Sequence, residues 1–158
     1  MNPSKKILNS CILFSATFVL NRFPGVAEKH PVWWREIRGM INRLALSPNT
    51  QYAAYLVFKI IDTYGLNYPV ELSISVQGGH RSTKVVCLNP NVERKAHNRV
   101  EGLPRPSVRS NGWLEIEMGE FFNSGLENEQ VQMSVVEIGF EQKRNLFLEG
   151  IEVRPAIT

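Results

Sequence analysis

The stretch "YAAYLVFKII", residues 52–61, is an almost unbroken apolar run that is rich in β-forming residues. Its two small alanines favour close packing of one sheet on another, so we expect a central strand that is buried on both faces. A short helix is the alternative, because periodicity does not distinguish the two structures in so short a run. The preceding "LSPNTQ" predicts a turn, since Pro48 fixes its own φ angle and Asn49 readily bends the backbone.

Segments on either side of this run alternate between apolar and polar residues, which is the pattern of half-buried strands. In "VELSISVQ" and "GWLEIEMGEFF" the predicted inward residues are Val70, Leu72, Ile74, Val76, Leu114, Ile116 and Met118. Further short strands are predicted in "WWREIRGMI", "KVVCLN", "VQMSVVEIGF" and "LFLEGIEVRP". About seven strands with turn-rich connections predict an all-β fold, an antiparallel β-sandwich of jelly-roll type.

The length of 158 residues and the hydrophobic content of 43% are typical of one soluble domain. The net charge of +3 is unevenly spread, because residues 80–110 hold seven Lys and Arg against two acids, whereas residues 111–158 hold three against nine. Prolines and charges in residues 89–111 predict a long exposed loop. The basic 80–110 segment either serves solubility or attracts an acidic partner such as RNA, although "VERKAHNR" lacks the interleaved aromatic residues of a single-strand binder.

The sequence contains no pattern that is typical of catalysis, of a metal site or of a cofactor. Glu115, Glu117 and Glu120 are better explained by a solvent-exposed strand face than by two carboxylates that flank a scissile bond. The three histidines are scattered, and Cys11 and Cys87 form neither a disulfide framework nor a metal-ligand cluster. We therefore predict a protein that is not an enzyme, binds no metal or cofactor, and resides in a reducing compartment.

The beginning of the chain imitates a secretory leader. Lys5 and Lys6 precede the apolar run "ILNSCILFSATFVL", and "GVA" at residues 25–27 has the small residues of a cleavage site. At about fourteen residues the run is too short to span a bilayer, so we expect no membrane contact. The composition alone leaves a secreted protein as one interpretation.

Four ordered blocks of the sequence are distinctive: "EIRG" at 36–39, "LSPNTQYAAYLVFK" at 46–59, "GWLEIEMGEFFN" at 112–123, and "VQMSVVEI…LEGIEVRP" at 131–155. Together they resemble the phloem protein 2 family, the Nictaba-like plant lectins, in the version usually found behind an F-box. The resemblance implies a β-sandwich lectin that binds N-acetylglucosamine oligomers or N-glycan cores in the cytoplasm and nucleus. It also implies that F-box members present glycosylated targets to a ubiquitin ligase.

The resemblance also decides how the beginning of the chain is interpreted. "RFPGVAEKHPVWWREIRG" at 22–39 is similar to the family's "RFPEVAELLDVCWLEIRG", so "GVA" belongs to the domain and cleavage after Ala27 would cut into it. We therefore predict an atypical N-terminal segment over residues 1–21 and a phloem protein 2-like lectin domain over residues 22–158. A cytoplasmic and nuclear location follows, with secretion as the alternative.

Two departures from the family pattern remove flat aromatic surface. Where the family carries a tryptophan-rich segment such as "LSITWGDTPRYWRW", this chain reads "ILNSCILFSATFVLN", so we expect an N-terminally incomplete domain. The family's "HWKxGL" is replaced by "EQKRNL", in which Gln142 stands in the place of the tryptophan. The 21 residues before Arg22 are too few for an F-box, so contact with a ubiquitin-ligase scaffold is not expected from them.

Sugar sites in lectins pair an aromatic platform with polar side chains that orient the ring hydroxyls. The predicted carbohydrate-binding residues are Trp33, Glu141, Gln142 and Lys143. Core or edge packing competes with this interpretation for Trp33, and a solvated turn competes with it for the polar segment. Trp34 aligns with a family tryptophan and is predicted to be core, as is Trp113. The expected partners are glycans or glycoproteins, a second copy of the chain in a homodimer, or RNA.

Overall fold

A computed structural model describes residues 11–13, 36–60, 69–77, 79–90, 102–110, 112–125, 130–137 and 146–156. These residues form nine strands and one short 3-10 helix at Arg43–Ala45. The strands are β1 (Cys11–Leu13), β2 (Glu36–Asn42), β3 (Thr50–Ile60), β4 (Pro69–Val76), β5 (Arg81–Cys87), β6 (Ser107–Val108), β7 (Leu114–Asn123), β8 (Gln130–Glu137) and β9 (Leu146–Pro155).

The strands make two antiparallel sheets that share one apolar core. The five-stranded sheet has the order β1-β9-β3-β7-β6, and the four-stranded sheet has the order β2-β8-β4-β5. Successive strands lie in different sheets, with two exceptions. Strand β5 follows β4 within the four-stranded sheet, and β7 follows β6 within the five-stranded sheet. Repeated crossing between two antiparallel sheets is the connectivity of a jelly roll, so the predicted all-β sandwich is confirmed.

Strand β3 is the central strand that the apolar run predicts, and the helical alternative is wrong. It pairs with β7 along one edge and with β9 along the other. Tyr52, Leu56 and Phe58 face the core and are fully buried, while Ala53 and Val57 on the opposite face are buried as well. Both faces of β3 therefore contribute buried residues along the middle of the strand, as the small alanines indicate.

The predicted alternation is confirmed in β4 and in the first half of β7. Two details differ from it. Ser73 is predicted to face solvent but is only 4% exposed, and its hydroxyl is hydrogen-bonded to that of Ser134 on β8. In β7 a bulge at Met118 and Gly119 shifts the phase, so that Phe121 and Asn123 become the buried residues of its second half.

The predicted "LSPNTQ" turn is present, and it is attached to the end of β7. Asn49 has a positive φ of 52°. Asn123 is fully buried and its Nδ2 donates to the carbonyls of Arg43 at 3.1 Å and Ser47 at 2.9 Å. Its Oδ1 accepts from the backbone N–H of Gly125 at 3.3 Å. One amide side chain therefore ties the β2–β3 connection to the chain that leaves β7.

Replacement of Gly125 by Ala should destabilise the fold at this junction. Gly125 has a φ of 80°, and an added Cβ would lie 2.3 Å from the Cβ of Pro48, so strain and a steric clash act together. We expect Gly125→Ala to lower the free energy of unfolding by about 3 kcal/mol, measured by urea denaturation.

The matched control is Gly112→Ala. Gly112 has a similar φ of 84°, but nothing lies within 4 Å of an added Cβ. Only the left-handed backbone is then penalised, by about 1 kcal/mol. Equal losses in the two variants would contradict a steric role for Pro48.

Candidate functional site

The residues predicted to bind sugar, Trp33, Glu141, Gln142 and Lys143, lie outside the described residues, as does Trp34. The strands that flank them are described. Glu36 at the start of β2 pairs with Val136 near the end of β8, and Leu146 at the start of β9 pairs with Ile60 at the end of β3. The strand ends nearest in sequence to the predicted residues therefore meet at one end of the sandwich, which we call the β8–β9 end.

Trp113 precedes β7 at this same end, and the structure does not place it in the core. Its ring is half-buried, and the Nζ of Lys59 lies 4.9 Å from the ring centroid. This distance is that of a cation–π contact, so the exposed part of the ring is partly covered by a charged side chain. Trp113 is thus a partly buried aromatic residue and not a member of the fully buried core.

The outer face of the five-stranded sheet is closed by a cluster of alternating charges. Arg154 on β9 makes a two-point ion pair with Glu115 on β7, at 2.9 and 3.1 Å, and also contacts Glu152 at 3.2 Å. Arg109 donates to Glu152 at 3.0 Å. The Arg154 guanidinium lies over the ring of Tyr55 on β3 at 3.7 Å. These five side chains form the charged cluster.

Geometry and burial give the charged cluster a structural role. The side chain of Glu152 is 8% exposed, and that of Glu115 is 17% exposed. The hydrogen bond to Glu115 raises the pKa of Arg154, against the opposing effect of burial. The strand pattern predicts a solvent-facing Glu115, and this prediction is wrong. Both of its carboxylate oxygens accept hydrogen bonds from Arg154, so Glu115 is not arranged as a catalytic residue either.

The charged cluster also fixes the end of the loop that the sequence predicts to be long and exposed. Within the described part of that loop, Arg105 and Ser107 are exposed, but Pro106 is buried and Arg109 is held by Glu152. The backbone N–H of Cys87 donates to the carbonyl of Pro104 at 3.0 Å. Residues 102–110 therefore lie against the sheets, because both backbone and charged groups attach them.

The outer face of the four-stranded sheet is different, since it is open and uncharged at its centre. It contains a cleft of about 360 Å³. The floor of this cleft consists of Ser134 and Gln132 on β8 and of Ser73 and Ser75 on β4. We call this floor with its walls the serine trough.

Longer side chains on the two outer strands form the walls of the serine trough. Arg38 and Met40 stand on β2, and Arg81 stands on β5. The register confirms this arrangement, because Arg38 pairs with Ser134, which pairs with Ser73, and Met40 pairs with Gln132, which pairs with Ser75. Three serines on the two middle strands lie between the long side chains of Arg38 and Met40 on one edge strand and Arg81 on the other, and this arrangement produces a groove along the strand direction.

Sequence reasoning missed the serine trough. Alternating serines in "VELSISVQ" indicate a solvent-facing strand, and nothing in the sequence places them beside Ser134, 61 residues away. The usable signal is that both middle strands carry outward serines while Arg38, Met40 and Arg81 lie on the strands that flank them. That signal is visible only after the strand order is known.

Other kinds of site have no support in the described part of the chain. No group of three or more His, Cys, Asp or Glu side chains is arranged there to hold a metal ion. Among the same residues, no helix is both long enough and apolar enough to cross a membrane.

The jelly-roll topology and the open polar face can now be compared with known proteins. The family model of phloem protein 2 matches residues 14–155, nine-tenths of the chain. This chain belongs to the phloem protein 2 family. It is therefore a lectin-type module of that family, which is a non-catalytic one.

Curated relatives from Arabidopsis thaliana support the assignment. The chain is 41% identical to F-box protein PP2-B10 over 141 residues, which cover 86% of this chain and 50% of that protein. It is 35% identical to F-box protein PP2-B13 over 158 aligned residues, covering 85% and 56% of the two chains. The chain thus spans about half the length of the curated relatives that it matches.

The comparison with solved structures adds no argument. The chain is similar to the Cry4Aa toxin from Bacillus thuringiensis at a TM-score of 0.40 and 10% identity, over 78% of this chain and 18% of that chain. A likeness at this level assigns neither a fold nor a function.

The domain boundary at residue 22 stays a prediction. Two observations bear on it. The family match begins at residue 14, and β1 at Cys11–Leu13 pairs with β9 as an edge of the five-stranded sheet. Part of the apolar run that imitates a leader therefore lies within the sheet.

Removal of the Arg154 charge should destabilise the fold far more than removal of an exposed arginine. Arg154→Met removes one of the two arginines that contact the buried Glu152 among the described residues, and it removes both hydrogen bonds between Arg154 and Glu115. We expect a loss of about 2–3 kcal/mol in the free energy of unfolding, measured by urea denaturation at neutral pH.

Arg38→Met is the matched control. Arg38 makes an ion pair with Glu36 at 2.6 Å, but its side chain is 63% exposed. Because solvent screens exposed pairs, the unfolding midpoint of this variant should stay within experimental error of the parent. A similar loss in both variants would show that the charged cluster has no special structural weight.

Proposed function

We propose that this module binds N-acetylglucosamine oligomers or N-glycan cores and has no enzymatic activity of its own. The observation that carries the proposal is the family match over residues 14–155, because it includes both sheets and both segments that hold the predicted sugar contacts. The family is lectin-type, so the finer proposal concerns which sugar is bound and by which residues.

The strand register supports a joint site for Trp33, Glu141, Gln142 and Lys143. The described residue nearest to Trp33 is Glu36, and it pairs with Val136. The segment 141–143 connects the end of β8 to the start of β9 at that same end of the sandwich. An aromatic residue and a polar segment that adjoin these strand ends in sequence are a suitable combination for a sugar ring, which has an apolar face and a polar rim.

Titration with chito-oligosaccharides tests this proposal. A shallow lectin site should give dissociation constants between about 1 μM and 1 mM, or roughly −8 to −4 kcal/mol, in isothermal calorimetry. Trp33→Ala and Gln142→Ala should each weaken binding at least fivefold, because one removes the stacking surface and the other a donor and an acceptor. The absence of binding at millimolar ligand would reject the proposal for this chain.

Two matched variants at the other end of the sandwich serve as controls. Phe122→Ala removes a half-exposed aromatic ring near the end of β7, and Gln77→Ala removes an exposed amide beyond the end of β4. Both should bind chito-oligosaccharides as the parent does. Equal weakening by Phe122→Ala and Trp33→Ala would indicate a general effect on the fold rather than loss of a contact.

A role in the cell follows from the same proposal. The matched relatives are named F-box proteins, and we propose that this module selects glycosylated proteins in the cytoplasm and nucleus, as the target-recognition part of a ubiquitin-ligase adaptor. Capture of plant glycoproteins on the immobilised module should be abolished by free chitotriose. A fluorescent fusion that accumulates outside the cell would favour secretion instead.

A second candidate function is binding of RNA through the basic 80–110 segment. It is supported by the exposure of Arg81 and Arg105, whereas Arg109 is engaged in the charged cluster. Retention on RNA that falls steeply with rising salt would support this function, because phosphate contacts release counterions. Retention that is unaffected by Arg105→Ala and Arg81→Ala would contradict it. A homodimer is a further proposal, and sedimentation equilibrium tests it.

A further inference from the structure

We propose that the serine trough is a second carbohydrate subsite, which holds the continuation of a neutral, linear oligosaccharide along the outer face of the four-stranded sheet. The inference rests on the proposed glycan binding at the β8–β9 end and extends it. It assigns the ligand as a chain of sugars rather than a single residue, and it gives β4 and β8 a direct part in recognition.

The floor of the trough has the hydrogen-bonding chemistry that sugar hydroxyls require. Ser73 and Ser134 are hydrogen-bonded to each other at the bottom of the cleft. A hydroxyl carries one proton and two lone pairs, so the pair uses one proton internally and keeps another proton and several lone pairs. Ser75 and the Gln132 amide add further donors and acceptors along the same floor. A surface that both donates and accepts matches hydroxyl groups, which do the same.

The walls of the trough favour an uncharged ligand, because their charges are balanced in pairs. Arg38 is paired with Glu36 at 2.6 Å, and Arg81 is paired with Glu71 at 4.0 Å. An anionic ligand would have to compete with these carboxylates. Both arginine side chains are more than 60% exposed, at 63% and 61%, so their remaining N–H groups are accessible to neutral acceptors.

The wall on β2 also provides an apolar contact. Met40 is 43% exposed although it is a large hydrophobic residue, and it lines the trough opposite Arg81. A flexible thioether side chain adapts to the C–H face of a sugar ring without the flat geometry of an aromatic platform. The trough therefore offers one exposed apolar contact and many polar ones, which suits a ligand whose surface is mostly hydroxyl groups with small C–H faces.

The position of the trough relates it to the proposed site at the β8–β9 end. Glu36 lies at that end and lines the first part of the trough, and Met40 lies four residues further along β2. At about 3.3 Å per residue, the trough extends for about 13 Å along the sheet from there. A short glycan that is held at the β8–β9 end does not fill this length, whereas a long one continues into it.

Amide-resolved NMR titration of the full chain with chitobiose and chitohexaose tests the inference. Chitohexaose should shift the amide signals of Ser75 and Gln132, and it should bind about tenfold more tightly than chitobiose. The double variant Gln132→Ala with Arg81→Ala should lose this tenfold gain and leave chitobiose binding unchanged. The matched control, Gln77→Ala with Arg105→Ala, changes the same residue types away from the trough and should retain the gain.

The outcomes separate this inference from the proposed function. If both ligands bind with equal affinity and shift signals only at strand ends, the trough is not a subsite although glycan binding stands. Shifts confined to the trough would support the subsite and overturn the site at the β8–β9 end. Cellohexaose and mannohexaose test the trough without N-acetylglucosamine, and the inference is overturned if no neutral hexasaccharide shifts Ser75 or Gln132. Shifts caused only by a sulfated oligosaccharide would also overturn it, because the ligand class would be wrong.

Discussion

The structure depends on one constraint, which is that strand β3 must be covered on both of its faces. Its inner residues meet the four-stranded sheet, and the buried Ala53 and Val57 on its outer face need a cover as well. The long side chains of Arg154, Glu115 and Glu152 on the neighbouring strands supply that cover, and their aliphatic parts bury apolar area while their charged ends pair. The charged cluster is thus a consequence of how deeply β3 lies.

This constraint makes the two outer faces of the sandwich unequal. On the five-stranded sheet Arg154, Glu115 and Glu152 are paired with one another, and Arg109 attaches a loop to the sheet. At the outer centre of the four-stranded sheet the described residues are short hydroxyl side chains, Ser73, Ser75 and Ser134, and they line a cleft. A ligand therefore meets fewer competing intramolecular contacts on the four-stranded sheet.

The fold could be predicted from the sequence to a large extent, and the candidate site only in part. Period-two alternation and the apolar run of β3 are local signals, and both were sufficient for an all-β sandwich. The bulge at Gly119 and the burial of Ser73 were not predictable, because each depends on the partner strand. The same reason applies to the trough, whose residues come from four strands. The roles of Glu115 and Trp113 were misjudged because a strand pattern shows the face of a side chain but not what covers it.

Occupation of both proposed glycan subsites by one ligand would have a thermodynamic consequence. At the proposed β8–β9 site, a loss of the family's aromatic residues would weaken stacking, and a polar trough alone would give modest affinity, since each hydrogen bond to a neutral group adds only about 1 kcal/mol net. A single sugar chain that occupies both subsites loses translational freedom only once. Binding of its second part is then intramolecular and has a high effective concentration. The regular pairing of β2 with β8 from Glu36 to Asn42 gives the trough a fixed position relative to the strand ends at which the other site is proposed. Selectivity for long glycans over short ones can therefore arise here without a strong contact at either subsite.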